Sequence, residues 1–183
     1  MNCLSLNVQG LGSKAKKDWI KELKNKHKVN FLLSRTRWIV FHVMDVKVLW
    51  GNYKLSISIA KQLGNSTVKV LVVSIYAPQS ITSKRSLWSY ISSLISRWDG
   101  HCMVMGDFNE VRCMEDRLGS VYNAQGANEF NSFISNSGLV EIQLEGYSFT
   151  WSLQSAKKMS KLDCFFVSDG LLFFIPSSLG CLS

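Results

Sequence analysis

Gly106-Asp107-Phe108-Asn109-Glu110 follows the apolar run Cys102-Met103-Val104-Met105 with no spacer. Polar groups placed directly after a buried strand are where α/β proteins assemble their sites. In extended chain, residues two apart project to the same side, so Asp107 and Asn109 are expected to aim together while Phe108 turns back into the core. A carboxylate beside a carboxamide is an oxygen-donor pair of the kind Mg²⁺ accepts. The same two residue types also favour turns, because their side chains bond the backbone two residues on. These residues alone leave a metal site and a loop cap both open.

The rest of the chain must supply the elements that hold this segment. Alternation over 2–8, ended by Gly10 and Gly12, predicts a strand. Over 14–26, Trp19, Ile20 and Leu23 share one face while lysines crowd the others, which predicts an amphipathic helix. Phe31-Leu32-Leu33 is a short strand-like run, and 66–76 is a long β-branched one closed by Ala77-Pro78. A second helix opens at Thr82 or Ser83, carries the stripe Leu87, Trp88, Ile91, Leu94, Ile95 and Trp98, and stops at Asp99-Gly100. A third helix over 126–137 is built on Phe130, Phe133 and Ile134, with late strands over 147–152 and 162–167. Strands alternating with helices predict stacked α/β layers in one domain spanning 1–183.

Of the 183 residues, 46% are apolar, 19% are charged and only two are proline, which excludes collagen-like, coiled-coil and disordered classes. Charge is unevenly divided: residues 1–99 carry 16 basic and 4 acidic side chains, residues 100–183 carry 5 and 9. A basic half beside an acidic half suits a polyanion partner facing clustered carboxylates, although lysines also keep an apolar domain in solution. Cys3, Cys102, Cys113, Cys164 and Cys181 are odd in number and irregular in spacing, so neither a disulfide framework nor a structural zinc site is expected. The sequence shows neither a signal-peptide pattern nor an apolar run of membrane-span length, and an intracellular protein, nuclear or cytoplasmic, is expected.

Five segments occur in a telling order: Leu4-Ser5-Leu6-Asn7-Val8-Gln9-Gly10, Val73-Ser74-Ile75-Tyr76-Ala77-Pro78, Gly106-Asp107-Phe108-Asn109-Glu110, Ser148-Phe149-Thr150-Trp151 and Lys161-Leu162-Asp163. Together they resemble the endonuclease/exonuclease/phosphatase superfamily, and within it the apurinic/apyrimidinic-like endonuclease domain of plant LINE-type (non-LTR) retrotransposons. The resemblance implies a four-layer α/β sandwich of the DNase I-like type and Mg²⁺-dependent hydrolysis of DNA phosphodiester bonds. It further implies that Asp107 activates the attacking water and, with Asn7, supports the metal. Asn109 would hold that water or the phosphate, Tyr76 would donate to a phosphate oxygen, Thr150 and Trp151 would shape the pocket beside the scissile nucleotide, and Asp163 would orient a histidine. Such convergent donors stabilise the charge that develops on the phosphorus oxygens in the transition state.

The sequence departs from that pattern in three places. The family's metal-binding glutamate falls at Arg35, within Leu33-Ser34-Arg35-Thr36. A guanidinium about 4 Å from the cation's seat repels a unit charge by about 4 kcal/mol at an effective dielectric of roughly 20, and a divalent ion by about twice that. Arg35 is expected instead to pair with Asp107 as a tethered counter-ion or to meet substrate. The histidine that contacts the phosphate in the family is missing, and none of His27, His42 and His101 replaces it. The stretch between Arg35 and Tyr76 is short, which is expected to remove part of the first sheet, and the C-terminal strand is expected to be absent. Weak Mg²⁺ binding and little or no nuclease activity follow, with a non-catalytic, salt-sensitive DNA-binding remnant as the alternative.

Overall fold

The computed structural model describes residues 3–6, 14, 18, 22, 26, 31–34, 39–40, 44–50, 53–60, 68–143, 148–153, 155 and 157–174. At its centre is a six-stranded sheet in the order β4 (Met44–Trp50), β5 (Tyr53–Ala60), β6 (Val70–Tyr76), β7 (His101–Asp107), β12 (Asp163–Ser168) and β9 (Leu139–Glu141). Only β6 and β7 are parallel; the helix α1 (Ile81–Ser96) connects them, as a parallel pair requires. A second sheet joins β1 (Cys3–Leu6), β2 (Phe31–Ser34) and β3 (Ile39–Val40), with β1 and β2 parallel. A third, small sheet joins β8 (Arg117–Leu118), β11 (Met159–Ser160) and β10 (Trp151–Ser152). Lys14, Asp18, Glu22 and Lys26 are helical and exposed, four residues apart, as the outer face of an amphipathic helix would be.

The middle strands of the central sheet, β6, β7 and β12, are buried on both faces. On one, Leu71, Val73, Ile75, Cys102, Val104 and Phe166 pack with Leu87, Trp88 and Ile91 of α1 and with Phe130, Phe133 and Ile134 of α2 (Ala124–Asn136). The alternate positions Val70, Val72, Met103, Met105, Phe165 and Val167 face the other way and are equally buried. Burial on both faces is what a sandwich demands of its inner strands. An aromatic cluster seals the helix side: the ring centroids of Trp88 and Phe133 are 4.9 Å apart, and Phe108 meets Phe130 at 5.1 Å and the edge of Phe166 at 5.2 Å. Pairs of this kind add about 0.5–1.5 kcal/mol each beyond area burial.

Several boundaries differ from the sequence expectation. β6 begins at Val70, because Val68 and Lys69 lie outside the ladder, and α1 begins at Ile81 with Ser80 at its N-cap, before Thr82 or Ser83. The expected strand over 147–152 is reduced to Trp151–Ser152, with Tyr147 outside the described residues. The β4–β5 pair went unpredicted, although Val46 and Val48 alternate with Asp45 and Lys47 and Gly51-Asn52 separates the two runs in hairpin fashion. The stretch between Arg35 and Tyr76 contributes β3 to the sheet of β1 and β2, and β4 and β5 to the central sheet. Among the described residues no helix is long and apolar enough to cross a membrane.

Gly106 has φ 141°, and a Cβ built there would lie 2.0 Å from the Ile75 carbonyl oxygen. Only glycine lets β7 approach β6 this closely one residue before Asp107. Gly106→Ala is expected to destabilise the chain by on the order of 3 kcal/mol, through backbone strain and displacement of β6. Urea denaturation of the variant beside the wild type checks this, and an unchanged midpoint would refute the steric account.

Candidate active site

The register of three neighbouring strands assembles the site. Tyr76 pairs with Asp107 across β6 and β7, and Asp107 pairs with Asp163 across β7 and β12. Directly opposed residues share a face, here the one carrying Met103, Met105 and Phe165, turned away from the helices. Tyr76, Asp107 and Asp163 thus form one row at the end of the central strands. Asp107 is 6% exposed, and its neighbours in the row are partly buried.

Beyond Asp107 the chain leaves the sheet through a turn rather than by continued alternation. Asn109 sits in the left-handed region with φ 48°, and its backbone N–H donates to Asp107 Oδ1 at 2.9 Å, closing an Asx turn. Its carboxamide Nδ2 donates to the Ala77 carbonyl at 2.6 Å, and Ala77 N–H donates to the Asp107 carbonyl at 2.7 Å. Phe108 N–H donates to the Leu162 carbonyl at 2.8 Å, while its ring is fully buried in the aromatic cluster. Asp107 and Asn109 therefore come together through a hydrogen-bonded cap, and that cap ties β7 to the chain segments after Tyr76 and before Asp163. The segment forms the turn that its Asp and Asn residues favour.

Thr150 acts on the same row. Its Oγ1 accepts from Leu162 N–H at 3.0 Å and from Asp163 N–H at 2.9 Å, so it sets the start of β12 and hence the position of Asp163. Trp151 is half-buried in β10, opposite Ser160 of β11. Asn7 and Arg35 lie outside the described residues, yet each directly follows the end of a strand, and those ends, Leu6 and Ser34, pair in register in a parallel ladder.

Two charged groupings escaped the sequence reading. Lys84, in the first turn of α1, donates through Nζ to Glu110 Oε2 at 2.8 Å and to the Asn109 carbonyl at 2.6 Å, with its side chain 8% exposed and that of Glu110 4%. Its signal was available: Lys84 sits three, four and seven residues before Leu87, Trp88 and Ile91, on the apolar stripe. The second grouping centres on Glu141, whose carboxylate accepts from Arg112 Nη1 at 2.6 Å and Lys161 Nζ at 2.7 Å. Arg112 Nε also donates to Asn131 of α2 at 2.9 Å. These residues line an open cavity of about 440 Å³ with Cys113, Asp116 and Gln143. Burial acts to lower the Lys161 ammonium, but hydrogen bonding and charge attraction from Glu141 outweigh it and hold the group above its ordinary value. Burial pushes the Cys164 thiol well up and that of Cys102 up, so both are inert apolar fillers.

As a seat for a divalent cation the described donors are incomplete. Asp107 and Asp163 supply oxygen of the type Mg²⁺ accepts, but among the described residues no three His, Cys, Asp or Glu side chains gather. These two carboxylates suit a basic side chain or an exchangeable cation as well.

No protein-family model matches the sequence, and no curated protein does. The fold is similar to that of the endonuclease domain of TRAS1, a telomere-specific non-LTR retrotransposon, with 13% identity, TM-score 0.60, and coverage of 93% of this chain and 86% of that one. It is similar to the 3′ phosphatase NExo from Neisseria, solved bound to a product DNA hairpin, at 14% identity and TM-score 0.60 over 92% of this chain and 87% of that one. An AP endonuclease from Archaeoglobus fulgidus matches at 12% identity and TM-score 0.57 over 92% and 87% of the two chains. Likeness at these identities is a likeness of fold, and the chain has the DNase I-like α/β fold of the endonuclease/exonuclease/phosphatase proteins.

Proposed function

We propose that the chain is a nuclease-like domain derived from a non-LTR retrotransposon endonuclease, in which Mg²⁺-dependent hydrolysis of DNA phosphodiesters is lost or strongly impaired. The observation that carries this reading is the row Tyr76, Asp107 and Asp163 in register at one sheet edge, with Arg35 standing directly after the strand end that pairs with Leu6. Half of a phosphodiester site is retained: two carboxylates, a phenol aimed along the same face and a capped turn. The other half carries the wrong charge. Loss of one member of such a set removes most of the rate, because the members act together.

Nicking of supercoiled plasmid in Mg²⁺ tests this directly. The wild type is expected to nick slowly or not at all, and Arg35→Glu to raise the rate by at least about tenfold by restoring the missing carboxylate. Robust wild-type nicking that disappears in Asp107→Ala would overturn the claim of lost activity. No gain in Arg35→Glu would remove Arg35 from the metal position.

The charge division favours a second reading, in which the basic residues 1–99 hold DNA backbone without cutting it. Each phosphate neutralised by lysine or arginine releases counterions, so log affinity should fall with log salt by about 0.9 per contact. Titration of a fluorescent duplex between low and physiological salt is expected to show a slope corresponding to several contacts. A salt-independent or undetectable interaction at low salt would rule this reading out.

A further inference from the structure

We infer that Lys84 is a positioning residue for the Asp107–Asn109 cap, acting through its ion pair with Glu110. This assignment rests on the reading of Asp107 as the acidic group of the site, but not on any surviving activity.

Asn109 holds a left-handed backbone at φ 48°, which costs a non-glycine residue about 1 kcal/mol or more unless its surroundings enforce it. Three contacts of Asn109 do so: its N–H on Asp107 Oδ1, its Nδ2 on the Ala77 carbonyl, and its own carbonyl under Lys84 Nζ. The first ends on a carboxylate oxygen, and the second joins two neutral groups. The third, at 2.6 Å and part-buried, is donated by an ammonium, and charge-assisted bonds are roughly twice as strong as neutral ones. It fixes the orientation of the peptide plane that follows Asn109.

Packing alone does not account for a lysine here. Lys84 lies on the stripe with Leu87, Trp88 and Ile91, where an apolar side chain would satisfy the core, and a buried ion pair is often no more stabilising than apolar residues of equal volume. The surroundings are also shaped to hold the pair. Gly126 of α2 faces Glu110 so closely that a Cβ would stand 2.4 Å from Oε2. Helix α1, helix α2 and the turn after β7 therefore converge on one ion pair, whose further polar contacts are the carbonyl of the cap on Lys84 Nζ and the Val111 N–H on Glu110 Oε1 at 3.4 Å. Because α1 begins four residues after Ala77, which itself bonds both Asp107 and Asn109, the device links the segment after Tyr76 to the acidic turn a second time.

Amide hydrogen exchange followed by NMR on the full chain tests the assignment without substrate or metal. Lys84→Met leaves the Glu110 carboxylate buried without its partner and is expected to lower overall stability, so the double variant Lys84→Met with Glu110→Leu decides the matter. In the double variant the amides of Met103, Val104 and Met105 are expected to keep wild-type protection, while those of Phe108 and Asn109 exchange at least about tenfold faster. A uniform change at all these amides, unchanged protection at Asn109, or loss of cooperative folding would place the pair in general stability and overturn the inference. No gain of nicking in Arg35→Glu, combined with selective exposure of Asn109 in the double variant, would count against the proposed reading of the site and leave this assignment standing.

Discussion

The pairing of β6, β7 and β12 is the constraint on which the molecule turns. Their register brings Tyr76, Asp107 and Asp163 side by side, and it depends on Gly106, whose missing side chain lets β7 lie against the Ile75 carbonyl. One residue beyond Asp107, Phe108 is buried among Trp88, Phe130 and Phe166. The acidic row is thus clamped from two directions, by a strand contact that tolerates no Cβ and by an aromatic ring in the helix-side core. A side-chain row on three strands moves only if the ladder slips, and a one-residue slip would invert every face.

Two carboxylates with little exposed side chain are each matched by basic groups. Lys84 and Glu110 are buried together, and Glu141 is buried between Arg112 and Lys161. Buried charges persist only when paired, since an isolated one costs several kcal/mol. Both groupings bond segments that the sheet does not: Lys84 bonds α1 to the turn after β7, and Arg112 bonds that turn's continuation to α2 and to β9. Their contribution lies in fixing loops at the sheet edge. The apolar core, which includes Leu71, Val73, Ile91 and Phe130, supplies the folding drive.

The candidate site was legible to the extent that it is local. An apolar run ending in Gly-Asp-Phe-Asn marks a strand edge, and a β-branched run ending in Tyr76-Ala77-Pro78 marks another. What could not be read was the mode of closure. Alternation suggested that Asp107 and Asn109 point the same way in extended chain, whereas the Asn109 turn brings them together by a backbone bond, because Asn tolerates φ above zero and Asp accepts from the amide two residues on. Thr150 was read as part of a substrate pocket, and its hydroxyl is found bonding the two amides that begin β12. The partners of Glu110 and Glu141 lie 20 to 29 residues away, and no periodicity reports on such distances.

By itself, the sequence determined the strand and helix periods around residues 70–137, the acidic turn and the division of charge, because each of these is a property of residue type and near spacing. The tertiary structure decided which strand ends become neighbours, that β4 and β5 extend the central sheet, and which cation each buried carboxylate receives. Those outcomes depend on long-range strand order and on packing of both sheet faces, where the free energy belongs to contacts between segments and not to any segment alone.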